Sequence, residues 1–140
     1  MAWSRPKTPT TVLIVEDEAI LRLELTWRLE DMGLTVLTAD SADEAIPLLE
    51  THPEITVLFT DIKMPGSMDG VRLAHQARRC WPPIKIIVAS GMIDTDLTTL
   101  PDDSIFLSKP YPPEDLASAL AQLTDGGRPH TTGAGLQARA

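Results

Sequence analysis

Between residues 11 and 124, short apolar runs alternate with longer amphipathic stretches. The runs TVLIV (11–15), TVLTA (35–39), ITVLFT (55–60), IKIIVA (84–89) and SIFLS (104–108) are mostly β-branched or aromatic and read as strands. Strands that alternate with helical stretches predict an α/β domain, a doubly wound five-stranded parallel sheet with helices on both faces.

In the first interval, Leu21, Leu23, Leu25, Trp27 and Leu29 alternate with polar residues as in a half-buried strand. Leu21, Leu25, Leu29 and Met32 also share one helical face, the residues between are good helix formers, and Gly33 stands where a helix C-cap belongs. A helix over 19–32 is therefore predicted. It leaves Ile20, Leu23 and Trp27 on a second apolar stripe, for which packing on a neighbouring helix is expected over contact with a partner. The second helix opens at Ser41 and Glu44, in capping-box spacing, and Pro47 inside it predicts a kink or a late start. A third helix is expected from Gly70 to about Cys80, closed by Trp81-Pro82-Pro83, and a fifth from Pro113 to about Leu123. The fourth is constrained: only 91–103 remain between the fourth and fifth strands, and Pro101 shortens them further. At 3.6 residues per turn, two turns around Asp94 to Leu100 are the most that fit, and the helix is short or absent.

Residues 1–10 and 125–140 lack apolar periodicity and read as an N-terminal tail and a flexible C-terminal tail around one domain at 11–124. The 140 residues carry twelve Lys and Arg against twenty Asp and Glu, a net charge of −8, which disfavours direct nucleic-acid binding. No apolar run approaches the roughly 20 residues of a membrane span, and the N-terminus lacks the apolar core of a secretory signal. A lone cysteine, Cys80, excludes an internal disulfide framework; a cytoplasmic location is expected, with Cys80 packed in the core.

The working crevice of an open α/β sheet lies beyond the carboxyl ends of its strands. There the chain places Glu16, Asp17 and Glu18 after the first strand, Asp61 after the third, Ser90 and Gly91 after the fourth, and Lys109 and Pro110 after the fifth. Several carboxylates at one rim cannot all stay ionised unless a cation joins them or a pKa rises, and Mg²⁺, a hard oxygen-seeking ion, suits such a cluster. A metal, an ammonium and a hydroxyl around one more carboxylate make a cradle for a phosphoryl group, with Asp61 as nucleophile.

The segments VLIVEDE, LFTDIKMPGSMDG, VASG and LSKPY, in that order over residues 10 to 124, resemble the receiver domain of bacterial two-component response regulators, a CheY-like, flavodoxin-like fold. The resemblance implies Asp61 as phospho-acceptor, and Asp17 and Asp61 as direct Mg²⁺ ligands, with Mn²⁺ as a substitute. Glu16 would act through water, and the backbone carbonyl of Lys63 would complete the set. It further implies that Ser90 and Lys109 hold phosphoryl oxygens and that Ser90 and Phe106 form a switch, although Phe106 could equally just fill the flank of the sheet. Lys63 and Met92 would tune dephosphorylation. The implied donor is a histidine kinase or histidine phosphotransfer protein, met through the first helix and the Pro110 to Pro113 loop, with an unknown downstream protein target. The expected role is a stand-alone signalling domain, not an enzyme beyond self-phosphorylation from small donors and autodephosphorylation.

Two departures stand out. MPGSMDG is one residue longer than the common MPxMDG loop, and the shortened fourth helix reduces the face through which the family signals, as in a subgroup marked by Phe-Ala-Thr-Gly that this chain matches in part. An aspartyl-nucleophile hydrolase would need two aspartates two apart after the first strand, which Glu16-Asp17-Glu18 lacks. In a flavin binder that loop would cradle a phosphate, which three acids repel. A degenerate receiver is disfavoured by the complete acceptor set. His52, His75 and His130 lie on separate segments and are expected to be solvated, as is the basic surface of Arg72, Arg78 and Arg79.

Overall fold

A computed structural model of the chain describes residues 10–64, 66, 68–91, 97–124 and 136–138. The strands are β1 (Thr11–Val15), β2 (Thr35–Ala39), β3 (Ile55–Asp61), β4 (Lys85–Ser90), β5 (Ser104–Ser108) and β6 (Leu136–Ala138). The helices, numbered in chain order, are α1 (Ala19–Asp31), α2 (Ala42–Thr51), α3 (Gly70–Cys80) and α4 (Pro113–Thr124). The sheet order is β2-β1-β3-β4-β5-β6. The first five strands are mutually parallel, as the sequence predicts, and β6 joins β5 antiparallel.

Period-two alternation builds two cores from one sheet. Leu13, Val15, Ile86, Val88 and Phe106 point to the side of α2 and α3, where they meet Ala45, Leu49, Leu73 and Ala77. Val12, Ile14, Ile87, Ala89, Ile105 and Leu107 point to the other side and meet Leu29 of α1 and Leu116, Ala119 and Leu120 of α4.

The expected helix signals operate. Ser41 Oγ accepts from the Glu44 N–H at 3.2 Å while Glu44 Oε1 accepts from the Asp40 N–H at 3.0 Å. The helix runs on through Pro47 without the late start, because Pro47 is on the exposed side, where the carbonyl released by its missing N–H can be hydrated. A cap that the sequence reading did not name is Asp69, whose Oδ1 accepts from the Arg72 N–H at 2.9 Å at the start of α3. Gly33 ends α1 at φ 88°, and the Leu34 N–H reaches back to the Leu29 carbonyl.

Several expectations are corrected. Ile20, Leu23 and Trp27 do not pack on a neighbouring helix; they are 73%, 47% and 59% exposed, because the core side of α1 is already filled by Leu25, Leu29 and Met32. Cys80 is exposed rather than packed: seven residues after Leu73 it is in line with the buried stripe of Leu73, Ala74 and Ala77, but it stands at the last position of α3, where the packed turns end. The C-terminal tail is not wholly without structure, since Leu136–Ala138 forms β6. Of the constrained fourth helix, the described residues show a single 3₁₀ turn, Leu97–Thr99; residues 92–96, and with them Met92, lie outside the described residues, as does His130. His75 is not simply solvated, since its Nε2 meets the Thr99 carbonyl, tying α3 to this turn.

Arg78 is likewise no free surface charge: its guanidinium donates to the carbonyls of Asp102 (3.2 Å), Pro82 (2.9 Å) and Ile84 (2.7 Å). It thereby ties the end of α3 to the entries of β4 and β5. Arg78→Ala removes donors from three carbonyls at once and is expected to cost about 1–3 kcal/mol, read as a lower urea midpoint at unchanged slope.

Candidate functional site

The carboxyl ends of β1, β3, β4 and β5 converge, and with them the residues that the sequence singles out. One carboxylate oxygen from each of Glu16, Asp17 and Asp61 lies within 4.8 Å of the others. Lys109 Nζ reaches the cluster from β5, 3.2 Å from Glu16 Oε1 and 3.5 Å from Asp61 Oδ2. A cleft of about 590 Å³ is lined by Asp17, Glu18, Asp61, Lys63, Ser90 and Lys109 among others, so the acceptor candidate, the hydroxyl and the ammonium face one space.

Backbone ties hold this rim. The Glu16 N–H donates to the Ala39 carbonyl, that of Ile62 to Ala89, and that of Lys109 to Ser90, so each strand end is fixed to its neighbour. The Glu18 N–H caps Glu16 Oε2 at 3.1 Å. Lys109-Pro110 is a cis peptide bond.

Electrostatically the site is poised for a cation. Burial, more than repulsion from Asp17, pushes the Asp61 carboxyl above its ordinary value, against the pull of Lys109. Burial likewise raises Glu16, partly offset by the Glu18 N–H and Lys109. For Lys109, burial opposes the charge, but Asp61 and Glu16 outweigh it and its pKa rises, so the ammonium is held. The rise expected from crowding of acids is present, with desolvation as its larger cause.

Phe106 is buried in the core on the α2 and α3 side, in one cluster with Val88 and Leu100, and partly buried Leu97 packs against that cluster. In this conformation it fills the flank of the sheet.

Three contributors were not anticipated. Arg22 Nη1 donates to the Glu16 carbonyl at 2.7 Å and pins the acidic loop to α1. Gly70, the first residue of α3, runs so close beneath the site that an added Cβ would stand 1.9 Å from the Asp61 carbonyl oxygen. Its position just after the Asp69 cap is the sequence signal that could have drawn attention to it. Tyr111, after the cis bond, has its hydroxyl pushed by burial up to about 12 and its ring centroid 6.3 Å from that of Phe59. With Leu21, Leu25 and Pro110 it lines a second cavity of about 490 Å³ between α1 and the segment after β5.

Comparisons with known proteins agree with this geometry. The model of the response regulator receiver domain family matches residues 12–121. Sensor kinase CckA of Brucella abortus is 35% identical over 82% of this chain, and the hydrogenase transcriptional regulatory protein HoxA of Cupriavidus necator is 35% identical over 82%. The chain spans only 12% and 24% of the lengths of these two relatives. A response regulator receiver protein from Sinorhizobium medicae, solved by crystallography, superposes with a TM-score of 0.77 at 33% identity, covering 83% of this chain and 94% of its own. Among the described residues no helix is long and apolar enough to cross a membrane. With the acidic cluster, hydroxyl and lysine at the strand ends of a CheY-like flavodoxin fold, and the family match across most of its length, the chain belongs to the response regulator receiver domains of two-component signalling systems.

Proposed function

We propose that Asp61 accepts a phosphoryl group from a phosphohistidine on a histidine kinase or phosphotransfer protein, in a Mg²⁺-dependent reaction in the cytoplasm, and that the phosphorylated state signals by protein contact. The observation that carries this reading is the convergence of Glu16, Asp17 and Asp61 within 4.8 Å beside the Lys109 ammonium. An all-oxygen donor set whose members resist ionising together fits a hard divalent cation. Asp17 and Asp61 would hold it directly, Glu16 through water and Lys63 through its backbone carbonyl; Mn²⁺ would substitute. When bound, the ion supplies neutralising charge for the phosphoryl oxygens.

The chain's own groups do the rest. An Asp61 carboxylate oxygen forms the O–P bond while the P–N bond to the donor imidazole breaks and its electron pair returns to nitrogen. Lys109 places its charge beside the incoming group, and the Ser90 hydroxyl, on the same rim, donates to a phosphoryl oxygen. Phe106 is the second half of the switch: its ring would follow Ser90 when the phosphorylated state is populated, leaving the core position it holds now. Incubation with acetyl phosphate and Mg²⁺ should add one phosphoryl group in intact-mass spectra and none with chelator. No adduct from either acetyl phosphate or a phosphorylated kinase would overturn the reading.

The partner would meet the exposed Leu23 and Trp27 stripe of α1 and the neighbouring cavity at Tyr111. Leu23→Ala with Trp27→Ala should slow transfer from a phosphorylated histidine kinase by about tenfold or more, as for removal of interface anchors. The adduct formed from acetyl phosphate should be unchanged, since neither side chain lines the acidic cleft.

A further inference from the structure

The short strand β6 is a contact that the signalling reading does not use. Among the five parallel strands, β2 and β5 are the outermost. β2 has both α1 and α2 against it, whereas among the described helices α4 is the one that packs on β5. The sequence of β5, SIFLS, contains no charged residue and no proline, the devices that usually keep an outer strand from pairing with another chain. Leu136–Ala138 occupies that edge, with Leu107 opposite Leu136, Phe106 opposite Gln137 and Ile105 opposite Ala138.

We propose that the outer edge of β5 is a strand-docking surface, that Leu136–Ala138 is its built-in occupant, and that when this segment leaves, the same edge of a second copy of the chain takes its place. An antiparallel partner is already the orientation that the edge accepts. Paired with itself about Phe106, SIFLS sets Ile105 across from Leu107 and Phe106 across from Phe106, apolar pairs of the kind that stabilise antiparallel ladders, and joins two sheets into one. The inference does not depend on phosphorylation.

The test uses the full chain with Leu136→Pro, Gln137→Pro and Ala138→Pro together, since prolines cannot complete the ladder whichever residues bond. Wild type should be monomeric across the micromolar range by light scattering, and the variant should double its mass with rising concentration. The Lys109 N–H donates to Ser90 of β4, so by alternation the amides of Leu107 and Ile105 also face β4 and that of Phe106 faces the outer edge; the Phe106 amide should lose exchange protection in dilute variant while those of Ile105 and Leu107 keep theirs. A peptide of residues 134–140, AGLQARA, added in excess should return the variant to the monomer, and a proline-substituted peptide should not. A cooperative thermal transition checks the fold; if the triple variant lacks one, Gln137→Pro alone is read in the same way. A monomeric variant, a dimer indifferent to the peptide, or a wild-type dimer that the prolines dissociate would each overturn the proposal.

Discussion

Asp61→Asn should abolish the phosphoryl adduct and at the same time leave the metal-free protein as stable as wild type or more so. On the proposed function, the loss follows from removing the charge of the nucleophilic oxygen while Ser90 and Lys109 stay at the rim. The stability follows from linkage. The folded-state pKa of Asp61 lies above its ordinary value, so the folded protein binds that proton more tightly than the unfolded chain does, and the ionised form is a net penalty of folding. The penalty is complete above the folded pKa and disappears as pH falls below the unfolded one, so the advantage of the Asn variant should be present at neutral pH and fade through the acidic carboxylate range. Mg²⁺ should offset the same penalty in wild type: at about 100 times its dissociation constant a ligand adds ~2.7 kcal/mol. Melting curves of both proteins against pH, with and without Mg²⁺, check this. A Mg²⁺ shift retained in full by Asp61→Asn would remove Asp61 from the ligand set.

The second large effect is expected at Gly70. Its N–H donates to the Ile62 carbonyl at 2.8 Å, drawing the start of α3 under the end of β3. A methyl group there would stand 1.9 Å from the Asp61 carbonyl oxygen and 2.8 Å from the Ile62 Cα, with backbone atoms that cannot swing away. Gly70→Ala should therefore move α3 or the Asp61 backbone, at a cost on the order of 2–4 kcal/mol. Phosphorylation from acetyl phosphate should slow as well, because the acceptor shifts relative to Glu16 and Lys109. Denaturant midpoints and adduct formation rates measure the two effects. A contrast is Gly66, at φ 105°, where an added Cβ would meet at 2.9 Å only the Asp43 carboxylate, the end of a side chain that can move; there the backbone conformation is the main obstacle to substitution.

Much of the fold and the site was legible in the sequence because both rest on local rules. Alternation of apolar residues sets which side of a strand is buried, and Val12 to Val15 divide between the two cores as that rule requires. The cap at Ser41 acts within three residues. The first polar residues after each strand become the rim of the cleft because parallel strands all end on one side of the sheet.

What escaped the sequence depends on distances between segments far apart in the chain. Whether Leu23 and Trp27 are covered depends on what packs around α1, and periodicity reports an apolar stripe without reporting its neighbour. Arg78 and Arg79 are adjacent basic residues, yet one gathers three carbonyls and the other is exposed, a difference of a third of a helical turn that tertiary contacts alone resolve. β6 has three residues and its pairing partner lies some thirty residues earlier.

The sequence by itself thus determined the parallel sheet, the boundaries of most elements and the composition of the acidic site, since periodicity, capping and strand-end position act over a few residues. Tertiary structure alone decided that burial outweighs mutual repulsion in raising Asp61, that Gly70 passes beneath it, and that the outer edge of β5 is covered by the C-terminal segment. Desolvation, close backbone approach and edge pairing are properties of the space between elements, and that space exists only once the chain has folded.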